Sequence, residues 1–398
     1  MNKIFVYILL LFFINGLFVT VFSPVSASAL VEDSWNTKTS MSQARAGLGV
    51  VTVEGKIYAI GGYTVFNTAF DGRGFVGTNE CYDPVSDTWV TLKSMPTVRS
   101  NFAIAAYDGK IYCIGGEAID ERAALLDCRV NEVYDVAVNS WSSKASPPFY
   151  GKNLPISGVI DGKIFVITET AVFMYDPAAD EWTEKSRLPN LPWMEYMYST
   201  VVDDKIIVTS VFIEGYAFGP KVFVYDPKTD EWTEKTAGYV GVFRGGAGVT
   251  TDRYAPKYVY VLGLTTSLDD SFTNQVYDPA GDSWSTAKGL PTHRQDFGVA
   301  VVDDVLYVIG GNNYGWRGGG ADVLSLNEQY VPIGYIPQNY PATQPSTTVP
   351  PVSSEITSKS FLSNPATIVV LVLTVCICTG ALFFYLRARK ETRGVKYE

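Results

Sequence analysis

Short apolar runs alternate along most of this chain with breaks rich in glycine and aspartate, and the runs have strand character throughout. The clearest are GKIYAIGG (Gly55 to Gly62), GKIYCIGG (Gly109 to Gly116), GKIFVIT (Gly162 to Thr168) and DVLYVIGG (Asp304 to Gly311). Aromatic and β-branched residues bounded by Gly and Asp favour strands over helices. A second short strand precedes each run, as at Phe102 to Tyr107 and Phe297 to Val302, and a tight Asp-Gly or Asp-Asp turn joins the two. Downstream of each run comes a unit of the form Tyr-Asp-Pro-x-x-Asp-x-Trp. Five copies place a tyrosine seven residues before a tryptophan: Tyr82 and Trp89, Tyr134 and Trp141, Tyr175 and Trp182, Tyr225 and Trp232, Tyr277 and Trp284. Successive tryptophans are 52, 41, 50 and 52 residues apart.

Each unit therefore predicts a four-stranded antiparallel meander. Strand A precedes the Asp-Gly turn, strand B ends at Gly-Gly, strand C carries Tyr-Asp, and strand D carries Trp. Paired glycines allow positive φ where strand B ends. Asp before Pro is turn chemistry, with the carboxylate capping backbone N–H groups. Tyr and Trp bring large apolar area to the contact between units, each with a polar atom to satisfy. A unit this small cannot bury its own apolar face, so neighbours must stack into one core.

The pattern resembles the Kelch repeat over about residues 35 to 332, and the resemblance implies an all-β propeller with one repeat per blade. The third and fourth units depart from it in lacking Gly-Gly, with Thr168-Glu169 and Ser210-Val211 instead, and the fifth has Gly263-Leu264. The last unit reads Glu328-Gln329-Tyr330-Val331-Pro332 and has no tryptophan after it. Trp35 stands alone before the first strand A, where it can supply strand D of that last blade. The expectation is a six-bladed Kelch-type β-propeller closed by its N-terminal strand, which removes sheet edges.

The two ends have a different character. Residues 1–29 read as a signal peptide: Lys3 is the one charge, an apolar run extends from Ile4 to Phe22, and Ala27-Ser28-Ala29 fits a cleavage site. Retention of this run as an uncleaved anchor stays open. After the propeller at 30–332, residues 333–364 form a Pro/Ser/Thr-rich stalk. Residues 365–386 contain an uncharged stretch, Ala366 to Tyr385, long enough for a C-terminal transmembrane helix. The tail at 387–398 carries Arg387, Arg389, Lys390, Arg393 and Lys396 and is expected to be cytoplasmic, so the propeller faces outward at the plasma membrane.

Formal charge is −10, and these basic residues at the ends make the intervening segment more acidic still, which argues against a nucleic-acid partner. Cys376 and Cys378 lie in the expected span, leaving Cys81, Cys113 and Cys128, an odd set that reads as free thiols. His293 is the single histidine, so neither a multi-histidine metal site nor a Ser-His-Asp arrangement is available, and no cofactor is expected. Aligning the repeats ten residues before the A–B turn brings Arg45, Arg99, Lys152, Met194 and Arg294 into register, with Arg244 taken as the fifth unit's equivalent. Meander geometry puts this position on the face that bears the B–C loops, at the mouth of the central channel. The B–C loops, expected at residues 63–78, 117–129, 212–219, 265–272 and 312–320, carry Phe66, Phe70, Phe75, Tyr314 and Trp316, and the D–A loop adds Trp193 and Tyr196.

Arg45, Arg99, Lys152, Arg244, Arg294, Trp193, Tyr196 and Trp316 are thus the candidate ligand-binding residues, suited to an acidic glycan or acidic peptide. The competing reading has the arginines pairing with carboxylates between blades. The leading functional expectation is a single-pass cell-surface protein whose propeller binds an extracellular protein or glycan, with a membrane partner for any signalling. The alternative is a metal-independent sugar epimerase resembling the sialic-acid mutarotase type, with Glu195 and Asp296 as proton carriers.

Overall fold

A computed structural model describes residues 30–65, 74–119, 125–150, 155–187, 194–214, 217–265, 272–313 and 322–337. The chain divides into a unit ending at Gln338 and a second unit, Asn339–Glu398, that lies outside the described residues. The expected signal peptide, most of the stalk, the membrane span and the tail all fall outside them as well. Among the described residues no helix is long and apolar enough to cross a membrane.

Six four-stranded antiparallel sheets account for most of the described chain, one per repeat. Blade 1 runs Gly49–Val53, Lys56–Ile60, Asn79–Asp83 and Thr88–Leu92, as strands A to D. Blade 2 runs Ala103–Tyr107, Lys110–Ile114, Asn131–Asp135 and Ser140–Ser143, and blade 3 runs Ile156–Ile160, Lys163–Ile167, Val172–Asp176 and Glu181–Glu184. Blades 4 and 5 have longer strands: Met194–Val202, Lys205–Glu214, Ala217–Asp226 and Glu231–Lys235, then Val242–Val249, Val259–Thr265, Phe272–Asp278 and Ser283–Thr286. Blade 6 takes Gly298–Val302, Val305–Ile309 and Asn327–Val331 from the C-terminal side and Ser34–Lys38 from the N-terminal side. The closing strand pairs antiparallel in register, with Trp35 opposite Tyr330. N-terminal closure is therefore the observed topology.

The repeat motif has a specific mechanical meaning. In every blade the strand-C tyrosine hydroxyl donates to a side-chain oxygen in the C–D turn, or in the turn before the closing strand. The pairs are Tyr82 to Asp87, Tyr134 to Asn139, Tyr175 to Asp180, Tyr225 to Asp230, Tyr277 to Asp282 and Tyr330 to Asp33, all at 2.6–2.8 Å. The same oxygen accepts a backbone N–H from the linker that leaves the preceding blade: Thr39, Lys93, Ala145, Ser186, Thr236 and Lys288. The strand-D tryptophan then donates its indole N–H to the carbonyl of that same linker residue, as Trp89 does to Thr39 at 2.7 Å and Trp284 to Thr236 at 2.8 Å. Trp35, Trp141 and Trp182 repeat the bond. Blade 4 is the exception. There Ser186 O accepts from Val172 N at 3.1 Å, and Trp232 Nε1 is buried without a partner.

Apolar packing follows the same circuit. Within each blade the tyrosine ring lies 4.9–5.1 Å from its tryptophan, from Trp35–Tyr330 round to Tyr277–Trp284. Across interfaces a strand-B aromatic meets the next blade's tyrosine, as in Tyr58–Tyr134, Tyr112–Tyr175, Tyr260–Tyr330 and Tyr307–Tyr82. Each of the six interfaces has its own apolar cluster, so the core is a ring of contacts rather than one centre. Near the axis the blades crowd. A Cβ on Gly298 would sit 2.0 Å from Val50 Cγ2. The second glycine of each Gly-Gly is also obligatory: Gly62, Gly116 and Gly311 have φ of 96°, 95° and 100°, and a Cβ there would meet a carbonyl oxygen at 2.6–2.7 Å.

Two expectations about the loops change. Residues 212–214 and 217–219 continue strands B and C of blade 4 as a two-stranded ribbon, with Phe212 paired to Gly219 and Glu214 to Ala217. Phe75, expected at the surface, is buried against Ala46 and Tyr63. Cys81 and Cys113 are free, and burial pushes the Cys113 thiol up to about 12.

Trp35→Ala removes a clasp bond and a partly buried aromatic at the seam, and is expected to cost about 3 kcal/mol, the low end for a large aromatic. Equilibrium unfolding measures it; a loss no larger than for an exposed tryptophan would contradict the closure. The clasps also predict a pH window. The Tyr277 hydroxyl holds the Asp282 carboxyl below its ordinary 3.8. Burial opposes ionisation of Asp87, Asp180 and Asp230, yet the tyrosine hydroxyl and backbone N–H each accepts outweigh it, and they too are lowered. Depressed carboxyls stabilise the fold above the unfolded value of 3.8 and lose that contribution as pH falls below it. Burial raises the partner tyrosines above their ordinary 10.0, so their contribution is present below pH 10 and lost above it. Thermal melting is expected to be flat between these limits and to fall on both sides.

Candidate functional site

The six A strands begin around a central cavity of about 250 Å³. In five of the blades its mouth is built by one residue in the left-handed region, Gly47, Asn101, Tyr196, Arg244 and Asp296, with φ between 43° and 61°. Backbone bonds link them around the axis: Asn101 N to Gly47 O, Gly47 N to Asp296 O, and Asp296 N to Arg244 O, at 2.7–2.9 Å. In blades 6, 1 and 2 the residue after Gly-Gly pairs with the residue just before this ring, which puts the D–A and B–C connections on one face as expected. Thus Tyr63 bridges to Ala46, Glu117 to Ser100 and Asn312 to Gln295.

The expected ring of free basic groups is corrected here. Arg45, Arg99 and Arg294 are fully buried, at 0% exposure. Arg45 Nη2 lies 2.7 Å from Glu80 Oε2, and Arg99 and Arg294 make the same contact with Glu132 and Glu328. Their Nη groups also donate to carbonyls at the end of strand B, Arg45 to Ala59 and Gly61, Arg99 to Cys113 and Arg294 to Val308, while each Nε is buried without a partner. A hydroxyl completes each cluster, from Ser42, Thr97 or Thr292, donating to the other glutamate oxygen. Burial pulls the Arg45 and Arg294 guanidinium groups down from their ordinary value, and Glu80 and Glu328 work against it. These arginines pin strand C to the end of strand B beneath the long loops of blades 6, 1 and 2. They cannot reach a ligand.

The sequence carried a signal for this pairing. A glutamate stands two residues before the tyrosine only in the arginine-bearing units: Glu80 before Tyr82, Glu132 before Tyr134 and Glu328 before Tyr330. The other three units have Phe173, Phe223 and Gln275 there.

Arg244 is not an equivalent of the buried three. Each of those lies two residues before its blade's left-handed position, which in blade 5 makes the counterpart the buried Val242. A register shift between Phe243 and Gly246 carries Arg244 to the mouth instead, the re-aiming a β-bulge produces. Its side chain is 36% exposed, lies over the Tyr196 ring at 5.7 Å and pairs with Asp296 at 3.1 Å. Asp296 raises the Arg244 pKa above its ordinary value. Asp296 Oδ2 also accepts from Tyr63 Oη at 2.8 Å and Asn312 Nδ2 at 2.9 Å. Beside them Asn101 Nδ2 donates to Glu117 at 3.0 Å.

Of the candidate residues, the structure therefore brings together Arg244, Tyr196 and Asp296. Lys152, Trp193 and Trp316 lie outside the described residues, and only the backbone of Glu195 is described, opposite Val211. The carboxylate that an epimerase would use as a proton carrier, Asp296, is held by three of the fold's own donors. His293 stacks on Phe272 at 4.6 Å.

A model of the Kelch-repeats domain of FKB95 type matches residues 36–250, more than half of the chain. The chain belongs to the Kelch-repeat family. Kelch-like protein 35 of Mus musculus is similar, 30% identical over 176 residues, covering 44% of this chain and 28% of that protein. Kelch repeat and BTB domain-containing protein 13 of Homo sapiens is 31% identical over 164 residues, 39% of this chain and 33% of that one. Kelch-like protein 38 of Rattus norvegicus aligns over 262 residues at 25% identity, 65% of this chain and 34% of that protein. The chain thus spans about a third of these relatives' length. The solved structure of YjhT superposes with a TM-score of 0.56 over 73% of this chain and 96% of that one, at 16% identity, a likeness of fold alone. Within the Kelch propeller, the buried arginine and glutamate act on the fold rather than on a ligand.

That assignment is testable. Glu132→Ala leaves Arg99 buried without its partner and is expected to cost about 3–5 kcal/mol of stability. The paired change Arg99→Met with Glu132→Leu is expected to cost much less. Equal losses in the two variants, by denaturant unfolding, would contradict the pairing as drawn.

Proposed function

We propose that the propeller is the extracellular protein-binding module of a single-pass cell-surface protein. What carries this reading is membership of the Kelch family, whose propellers serve protein interaction, together with the concentration of irregular B–C and D–A connections on one face. The targeting half rests on the sequence: an apolar leader at 1–29, an uncharged stretch at 365–386 and a basic tail. Ligand size follows from the mouth geometry. Arg244 is neutralised by Asp296, so the cavity offers little net charge to a small acidic sugar. A protein surface draped over the loop face uses area and shape instead.

Two measurements on intact cells test this. Protease added outside is expected to remove the propeller and spare an epitope on the tail; a protected propeller would reverse the topology. Photocrosslinking from B–C loop positions is expected to capture a protein partner, whereas crosslinks confined to the opposite, A–B face would move the site.

A further inference from the structure

Seven arginines lie among the described residues, and five face a carboxylate: Arg45, Arg99, Arg244, Arg253 and Arg294. Arg129 does not, and it is held in place all the same. It sits between the small hairpin of Glu117–Ile119 with Leu125–Asp127 and strand C of blade 2, on the loop-bearing face. Its Nε donates to Pro147 O at 3.0 Å, and its guanidinium carbon lies 5.4 Å from the centre of the Tyr150 ring. Tyr150 belongs to the linker from blade 2 to blade 3 and is 67% exposed.

This arrangement differs in kind from the buried arginines. Their Nη groups are consumed by backbone carbonyls and glutamate. Arg129 spends only Nε on the fold, while an aromatic ring covers one face of the guanidinium and Nη1 and Nη2 have no partner among the described residues. An anchored, stacked guanidinium with its outer edge open is organised in advance for two parallel bonds to a carboxylate. Little side-chain entropy remains to be lost on binding. Exposed tyrosine and arginine are also the residue types that dominate binding energy at protein interfaces.

On the protein-binding reading above, we propose that Arg129 and Tyr150 anchor an Asp or Glu side chain of an extended acidic peptide segment, with a neighbouring apolar residue of that segment set against Tyr150. The chain's charge of −10 does not forbid this. At physiological salt the Debye length is about 8 Å, so long-range repulsion is screened while the contact pair is not.

The test selects a random-peptide phage library on the full-length protein in detergent, in wild-type form and as Arg129→Gln, Arg129→Lys, Tyr150→Ala and Tyr150→Phe. Peptides enriched by the wild type are expected to carry Asp or Glu beside an apolar residue. A synthetic copy is expected to lose about tenfold to a hundredfold in affinity when its acid becomes the amide, or with Arg129→Gln. Arg129→Lys is expected to recover only part of the loss, because a point charge replaces a fork, and Tyr150→Phe is expected to keep most of the affinity that Tyr150→Ala loses. Matched melting curves would show that the variants stay folded. Enrichment of peptides without an acid, or peptides indifferent to Arg129→Gln, would overturn this proposal and leave the protein-binding reading intact. A propeller that enriches no peptide would overturn it too, and the crosslinking experiment then decides separately whether a folded protein surface is bound.

Discussion

One side-chain oxygen per blade holds this ring together. Asp33, Asp87, Asn139, Asp180, Asp230 and Asp282 each sit at positive φ, accept the strand-C tyrosine hydroxyl, and accept an N–H from the linker of the blade before. That single acceptor couples the inside of a blade to its neighbour. The tryptophan two residues further along the turn, or two after Asp33, completes the coupling through the linker carbonyl. Large apolar contacts alone would let blades slide, because burial has no direction. The clasp sets their register, and the apolar clusters at the six interfaces then supply most of the stabilisation.

The clasp also shows where the ring is uneven. Closure, the joint most exposed to failure because it unites chain ends nearly 300 residues apart, has the complete set of bonds through Asp33, Trp35 and Lys288. The interface between blades 3 and 4 lacks one, since Ser186 turns its carbonyl to Val172. A second unevenness divides the loop face. Blades 6, 1 and 2 have a buried Arg–Glu pair beneath their long B–C connections, and blade 3 makes a tight turn closed by Thr168 and Ala171. Buried ion pairs are poor sources of net stability, because desolvation offsets attraction. Here each arginine satisfies strand-end carbonyls that would otherwise be buried without donors where the B–C loop departs.

Much of the architecture was legible in the residues. Blade number, strand order, N-terminal closure and the structural role of Tyr and Trp all followed from motif spacing, because each motif residue acts within its own unit or the next one. The site was legible only in part. Tyr196, Arg244 and Asp296 do meet at the mouth, but the grouping of Arg244 with Arg45, Arg99 and Arg294 failed. One bulge between Phe243 and Gly246 displaces it by two positions, and a repeat alignment has no term for a bulge. The pairing of Arg45, Arg99 and Arg294 was present in the sequence as a glutamate two residues before the tyrosine, found only by comparing which units carry both.

Sequence by itself determined the ring, because a periodic pattern of tyrosine, aspartate and tryptophan leaves one way to bury each unit's apolar faces and pair every edge. Tertiary structure decided which charges are available. Whether an arginine meets a ligand or a glutamate depends on where its guanidinium ends after strands B and C close around it. The same residue type is therefore buried mortar at Arg99, a neutralised rim group at Arg244 and an open, ring-stacked fork at Arg129.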